Sequence, residues 1–361
     1  MENKVIKDKI LFEALCSKAG VSGFEADVCE CFSDYLKDSV DVQFSDVMGN
    51  AYSIIEGNGD GEKIMIEAHA DEIGFQVLNV SESGNIYLRR NGGVDEQCLP
   101  GMQVLVFTRN GEAVPGVIGK KPIHLMQQDD RKRTLEINQV WVDTGLDPSE
   151  VKSLVSVGDV ASVRPNLVWL GNNRISGKAL DNRVGMYVVA RVMKRLAELG
   201  VPDDNTVVGV ATVQEEVGSR GAVIASYRQN PDIAITVDLD FATDVPDCHP
   251  NKYGKVTLGG GVVIPINVDC DIALSRKFEQ LAAKCGIAHQ LSARPHATGG
   301  TNISRMQIMR EGIRTLSLGI PCRYMHTPVE MCDCRDIEAA IDLLVEYCRD
   351  ARKSVKNNLT I

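Results

Sequence analysis

The sequence Ala211-Thr-Val-Gln-Glu-Glu-Val-Gly218 decides how the fold and the chemistry of this chain are interpreted. Residues 206–213 predict a buried strand, and the carboxylates of Glu215 and Glu216 follow it directly. In α/β proteins the carboxyl ends of strands border the crevice in which ligands bind. Adjacent carboxylates repel each other there unless they point apart or a cation lies between them. We therefore expect Glu216 to bind a metal ion and Glu215 to act as a general base.

Taken alone, this acidic pair is more typical of a solvated turn, because most acidic side chains are exposed. The surrounding segments alternate between strand and helix, which indicates an α/β domain. Strands are predicted at residues 40–44, 52–56, 63–69, 232–237, 288–291 and 314–318. Helices are predicted at residues 7–20, 22–38, 180–200, 219–228, 275–285, 301–309 and 335–356, the second of them starting with a capping box, Ser22 to Glu25.

Residues 73–165 have a different pattern. Short strand-like pieces recur between turn signals such as Asn91-Gly-Gly93, and no segment predicts a convincing helix. This pattern is typical of a small β-barrel or sandwich. We predict that residues 73–165 form a β domain inserted into an α/β domain made of residues 1–72 and 166–361.

Composition excludes several classes of function. The formal charge of the 361 residues is −10, which argues against non-specific binding to nucleic acid or to anionic lipid. No apolar run is long enough for a membrane span, and residues 1–9 lack the apolar core of a signal peptide. The eleven cysteines have no framework spacing and are expected to be reduced thiols. We predict a cytoplasmic protein that binds neither nucleic acid nor membranes.

Carboxylate and imidazole side chains recur where the predicted strands end or the next helix starts. They are His69, Asp181, Glu215, Glu216, Asp238 and His326. Each alone has an ordinary explanation, such as a polar strand terminus, a helix N-cap or a loop histidine. Together they indicate one site, and mixed histidine and carboxylate ligands suit zinc, cobalt or manganese.

Two cations close together need a shared anion between them. Asp181 is the candidate for this bridge, because its position at the start of a helix restricts its direction. The other ligands can be divided as one histidine and one carboxylate for each metal. The spacing of His69 and Asp71 puts both side chains on the same side of an extended segment, so that Asp71 can orient the imidazole.

Several of these segments resemble the tetrahedral, TET-type, dinuclear metalloaminopeptidases of peptidase family forty-two. This family includes glutamyl and deblocking aminopeptidases, and some members carry an old cellulase label. The resemblance extends in order along nearly the whole chain. The segments that carry it are Ala68-His-Ala-Asp-Glu-Ile-Gly74, Gly116-Val-Ile-Gly-Lys-Lys-Pro-Ile-His124, Gly177-Lys-Ala-Leu-Asp-Asn-Arg-Val-Gly185, Val213-Gln-Glu-Glu-Val-Gly-Ser-Arg-Gly221, Val237-Asp238 and Arg323-Tyr-Met-His-Thr-Pro-Val-Glu330.

The resemblance implies two divalent metal ions per subunit, with zinc first and cobalt or manganese as alternatives. It implies that His69 and Asp238 hold one metal, that Glu216 and His326 hold the other, and that Asp181 bridges them. It further implies Glu215 as the catalytic base and Asp71 as the residue that orients His69.

The family likeness also implies a three-layer, mixed-sheet, zinc-peptidase-like catalytic domain. The inserted barrel would be PDZ-like and would drive dimerisation, with dimers assembling into a hollow tetrahedral dodecamer. One departure is visible in Gly300-Thr-Asn-Ile303, where family members generally read Gly-Thr-Asp-Ala. Asn302 thus replaces a carboxylate near the site, and the role of the neighbouring His296 is open.

The resulting hypothesis is a metal-dependent aminopeptidase that acts on short peptides. A glycoside hydrolase is the alternative suggested by the cellulase label. That chemistry needs two carboxylates that flank a sugar bond, whereas adjacent residues of an extended segment diverge. A non-catalytic homologue that retains the ligand residues is the third hypothesis, and Asn302 is the observation that suggests it.

Overall fold

The computed structural model describes residues 6–59, 61–129, 131, 134–202, 204–293 and 301–351. His296 and Gly300, which the sequence analysis singled out, lie outside these residues, as does the predicted end of the last helix beyond residue 351.

The predicted helices are present in the described residues with shifted ends, and α3 and α6 are additional to the prediction. They are α1 (Lys9–Ser17), α2 (Ala26–Leu36), α3 (Pro148–Leu154), α4 (Leu180–Leu199), α5 (Arg220–Gln229), α6 (Pro250–Tyr253), α7 (Ile272–Cys285), α8 (Asn302–Met306) and α9 (Cys334–Asp350).

The strands fall into two sets. One set comes from the segments before and after the insertion, and the other lies within the insertion. They are β1 (Val42–Ser45), β2 (Ala51–Ile55), β3 (Lys63–His69), β4 (Gly74–Val80), β5 (Ile86–Asn91), β6 (Gln103–Phe107), β7 (Ala113–Lys120), β8 (Val140–Asp143), β9 (Val160–Val163), β10 (Val168–Leu170), β11 (Arg174–Gly177), β12 (Thr206–Thr212), β13 (Ile233–Phe241), β14 (Val262–Pro265), β15 (His289–Ser292), β16 (Arg314–Arg323) and β17 (Glu330–Asp333).

A large mixed sheet forms the first folding unit, in the order β1-β2-β12-β3-β13-β16-β17-β11-β10, with β14 and β15 attached beside β16. The four central strands β12, β3, β13 and β16 are parallel, and the strands at both ends run antiparallel. The parallel register sets Thr212 opposite His69, so β12 and β3 end at the same edge. Helices α4, α5 and α8 pack on these strands.

A closed antiparallel barrel forms the second unit, in the order β4-β5-β8-β7-β6-β9. It has an apolar core of its own, which includes Phe75, Val104, Val106 and Val142. The prediction of a mixed-sheet α/β fold with an inserted small β-barrel is confirmed. The domain limits at residues 72/73 and 165/166 stay a prediction.

The inserted region contains a helix that the sequence analysis missed. Helix α3 begins after Asp147, whose side chain forms a capping box with Glu150. Val151 is the one residue of this helix whose side chain is buried. A helix of this length has too few apolar positions to show a helical period, which is why the strand-rich pattern concealed it.

Two further local predictions were wrong. Helix α2 begins at Ala26 with Glu25 as the N-cap residue, and the Ser22 hydroxyl donates instead to Asp71, so there is no capping box. Strand β13 continues to Phe241, so Asp238 lies within it and not at its end. Neighbouring β16 reaches Arg323 in parallel register, which extends the pairing past Asp238.

None of the helices in the described residues is long and apolar enough to cross a membrane. Most of the eleven cysteines are buried. The pairs Cys29/Cys31 and Cys332/Cys334 belong to no metal-sized cluster among the described residues.

Candidate metal centre

The first part of the candidate site is built on neighbouring central strands. His69 is the last residue of β3, and Asp238 lies in the adjacent β13. The imidazole Nε2 of His69 is 3.1 Å from Oδ1 of Asp181 and 3.7 Å from Oδ1 of Asp238. All three side chains are buried. We call these three residues the strand half of the centre.

The second part is built on loops. His326 follows β16 in a left-handed conformation with φ of 61°, and Glu216 lies in the turn after β12. Nε2 of His326 is 3.5 Å from Oδ2 of Asp181 and 3.5 Å from Oε1 of Glu216. Asp181, Glu216 and His326 form the loop half of the centre. Asp181 belongs to both halves and turns one carboxylate oxygen towards each histidine.

The donor set of each half fits a cation. One ligand atom from each of His69, Asp181 and Asp238 lies within 4.8 Å of the others, and the same holds for Asp181, Glu216 and His326. Ionised carboxylate oxygens only accept hydrogen bonds. The Nε2 atoms of His69 and His326 can therefore face them either by carrying a proton or with a cation bound between nitrogen and oxygen. Imidazole nitrogen and carboxylate oxygen are ligands that suit zinc and related divalent metals.

The close carboxylates of the loop half shift the pKa values of Glu216 and His326. Burial raises the pKa of Glu216 to about 8, and the charge of Asp181 adds to the rise. Burial lowers the pKa of His326, but its hydrogen bond to Asp181 and the charge of Glu216 outweigh this and raise it to about 10. A bound cation would balance the negative charge of these carboxylates, which protons on Glu216 and His326 otherwise balance.

Asp181 occupies an unusual position at the start of α4. The backbone at Asp181 and Asn182 is not helical, and a cis peptide bond joins them. The Asp181 N–H donates to Oε2 of Glu330 at 2.9 Å. Regular helix geometry therefore does not direct the Asp181 side chain, and Glu330 holds its backbone N–H.

Asp71 has more contacts than predicted. Its Oδ1 lies 3.3 Å from Nδ1 of His69, while its own backbone oxygen lies closer, at 3.1 Å. Its carboxylate also accepts the N–H groups of Glu215 and Glu216, at 2.9 and 3.0 Å, and the hydroxyl of Ser22 at 2.7 Å. Asp71 thus connects the end of β3 to the turn that carries both glutamates.

Glu215 lies next to the strand half and makes no ligand contact to Asp181. Its carboxylate is within 4.8 Å of ligand atoms of His69 and Glu216. Burial raises its pKa to about 9; the charge of His69 lowers it, and the charges of Asp238, Glu216 and Asp71 raise it further. The two adjacent glutamates both approach His69, and Glu216 in addition faces His326 and Asp181.

Glu330 is a site residue that the sequence analysis missed. It is buried, and its two oxygens accept the backbone N–H groups of His326 at 2.8 Å and of Asp181 at 2.9 Å. It thereby positions two residues that are 145 positions apart in numbering. The only signal was its place at the end of the segment from Arg323 that carried the family resemblance.

A buried ion-pair cluster next to the centre was also missed. Glu72 pairs with Lys178 and, at 3.2 Å, with Arg183, and it accepts the N–H of Gly20 at 2.9 Å and the hydroxyl of Ser162 at 3.2 Å. Glu72 follows Asp71, and Lys178 and Arg183 flank Asp181. Because Ser162 lies in β9, this cluster joins the barrel to the sheet beside the centre.

Asn302, which departs from the family pattern, meets a buried carboxylate. Its Nδ2 donates to Oε2 of Glu67 at 2.9 Å and to Oγ1 of Thr212 at 3.1 Å. The hydroxyls of Thr212 and Thr236 also donate to Glu67. Glu67 precedes His69 by two residues, so the two side chains leave β3 on the same face. The Asn302 amide thus supplies a hydrogen-bond donor to this buried carboxylate.

A small open cleft lies beside the loop half. Its walls come from both folding units: Ile73, Phe75, Val94 and Met102 on the barrel side, and Glu216 and His326 on the sheet side. The cleft therefore borders Glu216 and His326 with apolar side chains of the barrel.

Solved aminopeptidases have the same architecture. The TET aminopeptidase from a marine-sediment Thaumarchaeota archaeon matches with a TM-score of 0.90 and 31% identity, over 96% of this chain and 97% of that one. The TET1 peptidase of Pyrococcus horikoshii, whose structures are described as a tetrahedron or a large octahedral shell, matches with a TM-score of 0.84 and 29% identity, over 94% and 99%. Fold and site therefore define the class as aminopeptidase-like hydrolases.

Sequence comparison narrows the class to one family. The family described as M42 glutamyl aminopeptidase matches residues 49–343. The lysyl aminopeptidase of Pyrococcus furiosus is 32% identical over 92% of this chain and 94% of its own length. The chain belongs to the M42 aminopeptidase family, which confirms the resemblance seen in the sequence.

Proposed function

We propose that this protein is a dinuclear metal-dependent aminopeptidase that removes N-terminal residues from short peptides. The observation that carries the proposal is the pair of metal-sized ligand clusters that share Asp181. In this assignment His69 and Asp238 complete the strand half, and Glu216 and His326 complete the loop half. The membership in an aminopeptidase family supports the reaction type.

Two divalent cations, with zinc the first choice and cobalt or manganese the alternatives, would polarise the scissile carbonyl and acidify water. Glu215 would accept the proton of the attacking water and deliver it to the leaving amine nitrogen. Its half-buried position, within 4.8 Å of ligand atoms of His69 and Glu216, fits a group that takes and returns a proton beside the metals. Asp71 would hold the turn of Glu215 and Glu216 at a fixed distance from His69.

The arrangement of the carboxylates does not favour a glycoside hydrolase. Such an enzyme uses two carboxylates on either side of a sugar bond. Here Glu216, Asp181 and Asp238 face imidazole nitrogens instead. Activity that persists after verified removal of all metal would revive that alternative.

We also propose that the protein forms a homo-oligomer, with dimers assembling through the barrel into a dodecamer. The similarity to a peptidase described as forming a tetrahedron or an octahedral shell supports this proposal. Exposed apolar side chains on the barrel segment, including Ile123 and Leu125, are compatible with it. A cytoplasmic location stays a prediction from the sequence.

The first experiment measures hydrolysis of a panel of amino-acyl chromogenic amides before and after chelation, with single metals added back. Loss of activity on chelation and recovery with zinc, cobalt or manganese is the expected result. Activity unchanged in metal-free protein would contradict the metal mechanism. No cleavage of any amide with any metal would support a non-catalytic homologue.

The role of Glu215 is tested by Glu215→Gln. A general base contributes about 10²- to 10⁴-fold, so kcat should fall by that factor while two metals stay bound. Glu311→Gln, at an exposed position, is the matched control and should behave as the unmodified protein. Loss of a metal from Glu215→Gln would make Glu215 a ligand and not the base.

A further inference from the structure

A turn of the barrel contacts the loop half directly. The turn Asn91-Gly92-Gly93 follows β5, and the backbone oxygen of Gly93 lies 3.0 Å from Nδ1 of His326. These residues are 233 positions apart and belong to different folding units. The contact is therefore made only when the barrel is packed against the sheet.

This contact sets the state of the His326 ring. A backbone carbonyl only accepts a hydrogen bond, so Nδ1 carries the proton and donates to Gly93. Nε2 is then the nitrogen that faces Asp181 and Glu216. Glu330 holds the backbone of His326 but does not contact its ring in the described hydrogen bonds. The side chain is 35% exposed, and Gly93 holds the ring at Nδ1 while Nε2 faces the candidate ligands.

Both glycines of the turn are required by the close approach. A Cβ added at Gly93 would lie 2.9 Å from Nδ1 and 3.1 Å from Cε1 of His326. At Gly92 it would lie 3.3 Å from Cβ of Glu216 and 2.8 Å from Cγ2 of Ile73, and φ there is +88°. The turn thus packs on two of the three residues of the loop half.

The neighbouring Asn91 attaches the turn to the sheet domain. Its Nδ2 donates to the backbone oxygen of Ser22 at 2.9 Å, and the hydroxyl of Ser22 donates to Asp71. The turn is therefore attached, through Ser22, to the Asp71 side of the centre, and it contacts His326 of the loop half.

We propose that the Gly92-Gly93 turn of the barrel is a positioning element that gives the loop half its metal affinity. This inference rests on the proposed metal-dependent function. Residues that hydrogen-bond to a metal-binding histidine typically change metal affinity by about 10- to 100-fold when they are lost. Displacing the turn should weaken the loop half and leave the strand half unchanged, because His69 has no partner in the barrel among the described contacts.

The test is zinc binding to the metal-free full chain by isothermal titration calorimetry. The unmodified protein should bind two zinc ions. Gly93→Ala should bind one of them with unchanged affinity and the other about 10- to 100-fold more weakly. The matched control is Gly119→Ala in β7 of the same barrel, where a Cβ would lie 3.5 Å from Trp141 without strain and binding should stay normal.

Two unchanged affinities in Gly93→Ala, or equal weakening of both, would overturn the inference. Should Gly93→Ala fail to fold, Asn91→Ala removes the attachment of the turn without a steric clash. It should weaken the same single affinity, and two unchanged affinities in this variant would again overturn the inference. Fewer than two zinc ions bound by the unmodified protein would instead contradict the proposed function itself.

Discussion

The two halves of the candidate centre are built in different ways. His69 lies at the end of a central strand, is 2% exposed, and finds the partners of its Nδ1 two residues away in Asp71. His326 lies in a loop, is 35% exposed, and finds the partner of its Nδ1 in the barrel. The strand half is thus held by contacts within the sheet-containing folding unit, whereas the loop half has a contact from each of the two folding units.

The largest effect should come from the residue that the halves share. Asp181→Ala removes a ligand from both clusters, so both metals should be lost or greatly weakened. Activity should fall by more than about 100-fold, the upper end for residues that only support a ligand. Zinc content and kcat/KM on a chromogenic amide measure this. Retention of two zinc ions would show that Asp181 is not the shared ligand and would remove the basis of the comparison.

Replacing each histidine separately tests whether their different burial leads to different losses of stability. In metal-free protein, His69→Ala should lower the free energy of unfolding by about 2–4 kcal/mol, because it leaves a cavity beside buried carboxylates. His326→Ala should lower it by about 1 kcal/mol or less, since its side chain is partly exposed. Urea denaturation compares them. Equal losses would mean that the loop half is as tightly integrated as the strand half.

Asp71→Asn tests the connection between the halves. The amide cannot accept all the N–H groups that the carboxylate accepts from the turn of Glu215 and Glu216, so that turn should shift. We expect about a 10- to 100-fold loss of kcat/KM. Ser22→Ala, which removes only one donor to Asp71, serves as the control and should cost much less. Comparable losses in both variants would assign the effect to Ser22.

The smallest effect on activity, but a clear one on stability, should come from Asn302→Asp. The new carboxylate would lie beside buried Glu67, whose pKa is already raised by burial. We expect a loss of about 1–3 kcal/mol in the free energy of unfolding near pH 7. Thermal denaturation measures this, and the double variant with Glu67→Gln should recover most of the loss.

The loss should depend on pH in a defined direction. A group with a raised pKa in the folded protein binds its proton more tightly there than in the unfolded chain, so the folded state is favoured at low pH. The stability of Asn302→Asp should therefore fall as the pH rises above the ordinary glutamate value of about 4.5. A loss of stability that is independent of pH would show that the ionisation of Glu67 and of the new aspartate does not cause it.

Local sequence patterns were sufficient to predict that His69 and the paired glutamates lie at the ends of strands, whereas the grouping of His69 with Asp238 came from the family resemblance. The apolar run before His69 marks a central strand, and the paired glutamates follow another, so both could be expected at one edge of the sheet. The barrel was predictable because its strands are short and separated by turn signals. The helix α3 was not, since a single buried residue, Val151, gives no period.

The supporting contacts were out of reach of sequence patterns because they join distant segments. Glu330 binds the backbone of Asp181 across 149 positions, and Asn302 meets Glu67 across 235. Neither pair has a spacing that a local pattern can register. Ser22 shows the same limit at short range, because its hydroxyl could equally have capped a helix and instead binds Asp71.

The contact of Gly93 with His326 has a consequence for protein engineering. An inserted domain is usually treated as a module that can be deleted or exchanged, provided that its two ends stay close together. Here the guest domain supplies an atom that orients a side chain of its host. A graft of another barrel would have to reproduce the small turn at positions 92 and 93, even if its outer surface were entirely different.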